Sequence, residues 1–306
     1  IKSALAAVKE SEKELDLGSL ELTMKNVQEE DWANNWKEFF KPLEVGEKIL
    51  IQPEWSPLDG TTDRIVFTVN PGMTFGTGTH TSTKLCICEL EKYVDENTNL
   101  LDAGCGSGEL AAILAKYYDV IGVDISPDML SQAVNMYSVE NITWVCQDIS
   151  KMEIGRNAAA VFATTDTLNH ITNKNKLFAF FKRAFECLES GGFLFFDVVM
   201  PAFFKNNYGR GECSFEDFDW GSFFWTCDFS PKTGKVLYQI TAFEKCQAKP
   251  GSKEELYKRY DEEISERIWS TSVLREGLIK AGFMNFSVYD NMRHPFEFAF
   301  LYPEKT

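Results

Sequence analysis

The sequence predicts an α/β domain built on a mostly parallel sheet, with an antiparallel β-rich insert and a short N-terminal α/β extension. Three observations carry this. From about Asn99, short apolar β-type runs alternate with stretches of helical periodicity, the pattern of repeated βαβ units. The segment 223–246, "FWTCDFSPKTGKVLYQITAFEKC", reads instead as two β-runs joined by a turn containing Pro and Gly, hence antiparallel. The first 45 residues precede this alternation and hold a charged amphipathic helix, a short strand "SLELTMKNV" and an aromatic helix at Trp32, Trp36, Phe39 and Phe40. The expected boundaries are 1–48 for the extension, 49–306 for the main domain and about 202–270 for the insert.

Strands are expected at 99–103, 119–124, 142–146, 158–163 and 193–199. Between the second and third, Ser126 caps a helix whose first position is Pro127, where a missing N–H costs nothing. Before the fifth, Leu177, Phe181, Ala184, Phe185 and Leu188 form the apolar stripe of a helix that Gly191-Gly192 stops. The leading edge of the insert, 203–225, gathers Phe203, Phe204, Tyr208, Phe215, Phe218, Trp220, Phe223, Phe224 and Trp225. Two readings stay open for them: the insert's own small core, or a lid over substrate in which Trp220, Phe223 and Trp225 take part. A helix at about 272–281 and strands at 284–289 and 296–302 complete the domain.

Composition narrows the function. With 306 residues, 44% of them hydrophobic, the chain can bury one large core, or one core plus a smaller appended unit. A formal charge of −15 repels a phosphate backbone, so nucleic acid is not an expected partner. The eight cysteines are scattered, with one C-x-C and no C-x-x-C, which points to reduced thiols and not to a zinc or disulfide framework. Three histidines without paired spacing give no metal motif. No apolar stretch reaches the length of a membrane span and "IKSALAAVKESEKELD" is too charged for a signal peptide, so a cytoplasmic protein is expected.

The segment "LLDAGCGSGE", 100–109, sets Gly104, Gly106 and Gly108 where the first strand stops and a helix opens. Such a loop presents unpaired N–H groups and suits an anion. Asp124 closes the next strand, with Ile125 beside it, at the spacing where a carboxylate accepts both hydroxyls of a ribose. Dinucleotide enzymes share that spacing, but their G-x-G-x-x-G fingerprint fails here, because its third glycine falls at Glu109. Asp102, two residues before the first glycine, would repel a diphosphate and fits an amine. S-adenosylmethionine matches this charge pattern: its ammonium to Asp102, its carboxylate to the helix N-terminus, its ribose to Asp124. On the third strand, Asp148 is placed to accept from the adenine amino group while Ile149 packs on the ring. Three aspartates then end three successive strands at the carboxyl edge of one sheet.

With these residues in view, "LDAGCGSGE", "VDISPDML" and "CQDIS" resemble the first three motifs of class I methyltransferases. That resemblance implies a Rossmann-like, seven-stranded, mostly parallel sheet with an antiparallel last strand. Upstream, "EEDWANNWKEFFKPLEVGEKILIQPEW" (29–55) and "NPGMTFGTGTHTST" (70–83) resemble the ribosomal protein L11 methyltransferase family, and the likeness runs from about residue 10 to 115. In that family the second segment lines the methionine end of the cofactor, which implies the same for Phe75, Gly76, Thr77, Gly78, Thr79 and His80. The extension is similar to the last helix and strand of that family's recognition domain. From about 119 onward, "ATTDTLNHIT" (163–172), the insert and "IKAGFMNFSVYD" are more similar to small-molecule-type class I methyltransferases.

Methyl transfer from a sulfonium is an in-line displacement, and holding nucleophile, carbon and sulfur collinear in a dry pocket supplies much of the catalysis. Asp166, Asn169 and His170 follow the fourth strand: His170 as base, Asp166 as its orienter and Asn169 as a hydrogen-bond guide, or all three as structural turn residues. The favoured reading is an S-adenosylmethionine-dependent methyltransferase for a small-molecule or peptide-like acceptor under an aromatic lid. The alternatives are an L11-type protein lysine N-methyltransferase and a non-catalytic cofactor-binding regulator.

Overall fold

The computed structural model describes residues 41–56, 60–69, 81–95, 98–155, 157–199, 204, 212–218, 220–246 and 256–284. The elements expected before residue 41, the loop 70–80, Phe203, Tyr208, and all but Met284 of the last two strands lie outside the described residues. A small sheet comes first: β1 (Leu43–Val45) pairs antiparallel with β2 (Ile49–Pro53), which pairs parallel with β3 (Ile65–Val69). Helix α1 (Thr81–Tyr93) follows.

The parallel sheet is built from β4 (Asn99–Ala103), β5 (Asp119–Asp124), β6 (Ile142–Cys146), β7 (Ala158–Ala163) and β8 (Leu188–Phe196), in the order β6-β5-β4-β7-β8. Its connections carry α2 (Glu109–Leu114), α3 (Pro127–Met136), a 3-10 turn at Ile149–Lys151, the short α4 (Thr167–His170) and α5 (Lys174–Cys187). Strand alternation sorts the core into two layers. Leu101, Ala103, Ile121 and Val123 pack with α5 and with α6 (Thr271–Ala281), whereas Leu100, Val120, Phe162 and Phe195 pack with α1, α2 and the small sheet.

The expected cap forms, the Ser126 side chain accepting from Met129 N with Pro127 first in α3, and α6 runs from a Ser270 cap to Gly282. The buried stripe of α5 is Leu177, Phe180, Phe181, Ala184 and Cys187, with Phe180 and Cys187 in place of the expected Phe185 and Leu188, because sheet and α6 flank the helix on two sides. Burying Phe180 and Phe181 contributes about 1.5–3 kcal/mol each. Phe185 turns aside to meet Phe283 edge-on, their centroids 5.1 Å apart.

One boundary differs from expectation. The helix ends at Cys187, and Gly191-Gly192 lie inside β8 instead of ahead of it. Gly191 sits at φ +80, and the β7–β8 register shifts between Ala158 and Ala160, so the glycines absorb a strand irregularity. At its other end β8 stops at Phe196, because Asp197 is taken up by the neighbouring turn, as described below.

The insert is a four-stranded antiparallel sheet, β9 (Glu212–Phe218), β10 (Gly221–Ser230), β11 (Lys235–Lys245) and β12 (Tyr257–Arg267), in the order β12-β11-β10-β9. Phe204, Cys227, Val236, Val199 and Ile268 form its small core, with Trp225, Phe229 and Tyr238 partly buried against it. No described helix is long and apolar enough to cross a membrane.

Candidate active site

Because β4 to β8 run parallel, their carboxyl ends and the turns that follow share one edge, and that edge is acidic. Asp102 is the last but one residue of β4 and is 3% exposed. Burial, and then the charge of Asp124, hold its carboxyl well above the ordinary aspartate value. Burial thus favours the neutral acid, and a cationic group brought beside it would favour the carboxylate.

The glycine loop then turns into α2. Gly104 stands at φ +82, and a Cβ there would run into Thr167; Gly108, at φ +83, does the same against the Trp144 ring. Beside Gly106 a Cβ would meet no described residue within 4 Å, so among these residues this stretch of loop backbone borders open space. The loop is held from below, since Val123 O accepts from Gly104 N at 2.7 Å and from Cys105 N at 3.1 Å. Asp124 ties it to the next strand, accepting from Gly106 N at 2.9 Å and from Ser126 N at 2.8 Å. Ile125 is 66% exposed on this rim. The Cys105 thiol is pushed far up by burial and then by Asp102 and Asp124, so it is protonated and no nucleophile.

Asp148 follows β6 and is committed locally. Its Oδ1 accepts from Ser150 N at 2.9 Å and from Ser150 Oγ at 2.6 Å, and its Oδ2 meets Lys176 Nζ at 2.9 Å. Burial works to raise this carboxyl, but the Ser150 and Lys176 hydrogen bonds hold it below the ordinary value. Ile149 is buried in the core beneath.

The turn after β7 is unusual. Thr165 and Asp166, neither a glycine, stand at φ 58 and φ 53, a conformation that non-glycine residues rarely adopt. A residue not singled out from the sequence fixes it: Asp197, 1% exposed just past β8, accepts from Thr165 N at 3.0 Å and Asp166 N at 2.8 Å. The same signal that marked Asp102, a carboxylate closing an apolar strand, stands in "FLFFDVV".

The three residues expected to be catalytic are separated by this turn. Asn169 is fully buried; its Oδ1 accepts from Val199 N at 2.9 Å, and its Nδ2 donates to Arg267 O at 3.0 Å and Val199 O at 3.4 Å. The amide joins the turn to the insert, so Asn169→Ala is expected to lower stability by about 1–3 kcal/mol, checked by urea unfolding. Asp166 and His170 instead come together with Glu266 of β12, one ligand-type atom from each lying within 4.8 Å of the others. His170 Nε2 is 3.8 Å from Glu266 Oε1. The imidazole is half exposed, and burial of its remainder lowers its pKa, with Asp124 opposing. Asp166 is raised well above the aspartate value by burial, then by Glu266 and Asp197; burial pushes Glu266 up to about 7. Glu266 carried no signal in the sequence, where it ends the charged run "DEEISER".

Of the expected lid residues, Trp225 belongs partly to the insert's core. Trp220, 39% exposed, and Phe223 both stack with the ring of Phe218, with centroids 5.4 Å and 5.8 Å away. Phe75 through His80 lie outside the described residues.

The chain matches the family model for ribosomal protein L11 methyltransferase (PrmA) over residues 1–164. It is similar to the ribosomal protein L11 methyltransferase of Clostridium perfringens (strain SM101), with 40% identity over 152 residues, 46% of this chain and 49% of that one. The same protein of Alkaliphilus oremlandii (strain OhILAs) is 35% identical over 192 residues, 58% of this chain and 61% of that one. The chain thus spans about half the length of the curated relatives it matches. In three dimensions it resembles an S-adenosylmethionine-dependent methyltransferase from Clostridium acetobutylicum, with a TM-score of 0.63 and 22% identity over 74% of this chain and 91% of that one, a likeness of fold.

Proposed function

Because the chain belongs to the ribosomal protein L11 methyltransferase family and has the fold of class I methyltransferases, we propose that it transfers a methyl group from S-adenosylmethionine to an amine of an L11-type protein acceptor. One observation carries this reading: the family match runs unbroken through the glycine loop and the strand ends of Asp102, Asp124 and Asp148.

The described residues fit the cofactor. Asp102 is a buried acid, which suits an ammonium, and among the described residues the loop at Gly106 leaves room for close approach. Bound there, S-adenosylmethionine supplies an electrophilic methyl group on a sulfonium. Asp102 holds the amine end, Asp124 the ribose and Asp148 the adenine edge. Asp124 and Asp148 already accept bonds from their own chain, so each contributes to the ligand through its remaining lone pairs. Thr167 packs on Gly104, which sets the turn of Asp166 and His170 against the cofactor loop, on the acceptor side.

A second reading, a small-molecule acceptor, draws on a specific observation. The family match ends at residue 164, so the acceptor-side turn, Asp197 and the whole β9–β12 sheet lie beyond it. Sequence features favour that acceptor; the comparisons favour the ribosomal protein. Incubation with methyl-labelled S-adenosylmethionine, beside purified ribosomal proteins and a small-amine extract, separates the two. Label is expected in the L11 fraction. Label in the small-molecule fraction alone supports the second reading, and binding without transfer to either supports a cofactor-binding regulator.

A further inference from the structure

We propose that Asp166, His170 and Glu266 form a divalent-cation site that ties the insert sheet to the turn after β7. Two elements far apart in sequence supply the ligands: Asp166 precedes α4 and His170 ends it, and Glu266 lies near the end of β12. One carboxylate oxygen from each acid and one imidazole nitrogen lie within 4.8 Å of one another. A first-row divalent ion holds such atoms at about 2.0–2.2 Å, so that ligands on it stand about 3–4 Å apart, and small rotations of these side chains reach that spacing. Two carboxylates and one imidazole are a donor set suited to manganese, iron, cobalt or zinc.

A second observation points to a missing cation. Glu266 is 5% exposed, and its Oε2 is buried with no hydrogen-bond partner among the described residues. Leaving a buried carboxylate oxygen unpaired is costly, and a second acid, Asp166, adds repulsion. No described lysine or arginine pairs with either acid; the neighbouring Arg267 donates to Thr172 O and lies over the Trp269 ring. His170, half exposed, leaves a way in for an ion.

The assignment gives Asp166 and His170 a joint role in place of separate orienter and base. An ion here would also favour the unprotonated form of an acceptor amine brought beside it, since like charge disfavours the cation. The binding itself does not depend on which acceptor is used.

The test is manganese binding to the whole chain, read by electron paramagnetic resonance and by thermal unfolding with and without Mn²⁺. Wild type is expected to bind one ion with imidazole nitrogen coupling, and to melt higher with Mn²⁺ present. Glu266→Gln, nearly isosteric, should weaken binding at least tenfold and erase the thermal shift. His170→Ala, at a half-exposed position that folding tolerates, should remove the nitrogen coupling. Absence of Mn²⁺, Co²⁺ and Zn²⁺ binding in wild type, or equal binding in Glu266→Gln, would overturn the site. So would stabilisation through Glu266 by n-butylammonium with Mn²⁺ inert, which would make it a pocket for an organic cation. Failure of methyl transfer leaves these readouts untouched, so the two proposals fail separately.

Discussion

Replacing Asp197 by alanine is expected to cost about 3–6 kcal/mol of folding stability, since a hydrogen bond to a charged group contributes about 1.5–3 kcal/mol and two are lost together. The carboxylate accepts from Thr165 N and Asp166 N, the two consecutive non-glycine residues held at positive φ. Without it, both part-buried N–H groups lose their acceptor and the strained turn is free to relax in part. Because that turn presents Thr167 to Gly104 and Asp166 to Glu266, the loss should reach cofactor and acceptor sides alike. Asp197→Asn keeps one acceptor oxygen and should lose less. Urea unfolding of the three proteins checks this, and a loss below about 1 kcal/mol in Asp197→Ala would show the turn to be self-supporting.

Asp102→Asn is expected to move two quantities in opposite directions. Removing the charge that meets the cofactor amine should weaken S-adenosylmethionine binding by about 1.5–3 kcal/mol, roughly 10–150-fold. The unliganded protein should become more stable at neutral pH. The sign follows from the raised carboxyl of Asp102: a folded-state pKa above the unfolded one gives stability that is present at low pH and lost as pH rises through the folded value. Asparagine cannot ionise, so the variant keeps what the wild type loses. The gap between them should vanish below about pH 3.9, the unfolded aspartate value, and widen as the pH climbs. Thermal unfolding across pH, without ligand, reads it. A less stable variant at pH 8 would mean that the native carboxylate already has a cationic partner.

Local patterns made much of this molecule legible in its sequence. Four of the five parallel strands stand where the apolar runs placed them, because each run is bounded by polar residues or a glycine. Ser126-Pro127 announced its helix through short-range capping chemistry. The β10–β11 hairpin was signalled by its turn. What stayed hidden depends on tertiary contact. Gly191-Gly192 read as a helix stop, yet only the pairing of β8 with β7 decides that they sit in a strand. Asn169 looked like a site residue, and its burial against Val199 and Arg267 follows from the insert's return to the domain. Glu266 sits in a run whose neighbours are exposed, and nothing local distinguishes the one acid that strand alternation turns inward. Asp197 was readable by the rule applied to Asp102, but its task, bracing the turn after β7, was not.

The central claim is that this acidic strand edge is built for a ligand with a cationic head and not for a diphosphate. Isothermal calorimetry of the wild-type chain with S-adenosylmethionine, its demethylated product and NAD tests it most directly. The expected result is one-to-one binding of the first two, weakened in Asp102→Asn, with no heat from NAD. Binding of NAD as tight as that of S-adenosylmethionine, or no binding of S-adenosylmethionine at all, would contradict it.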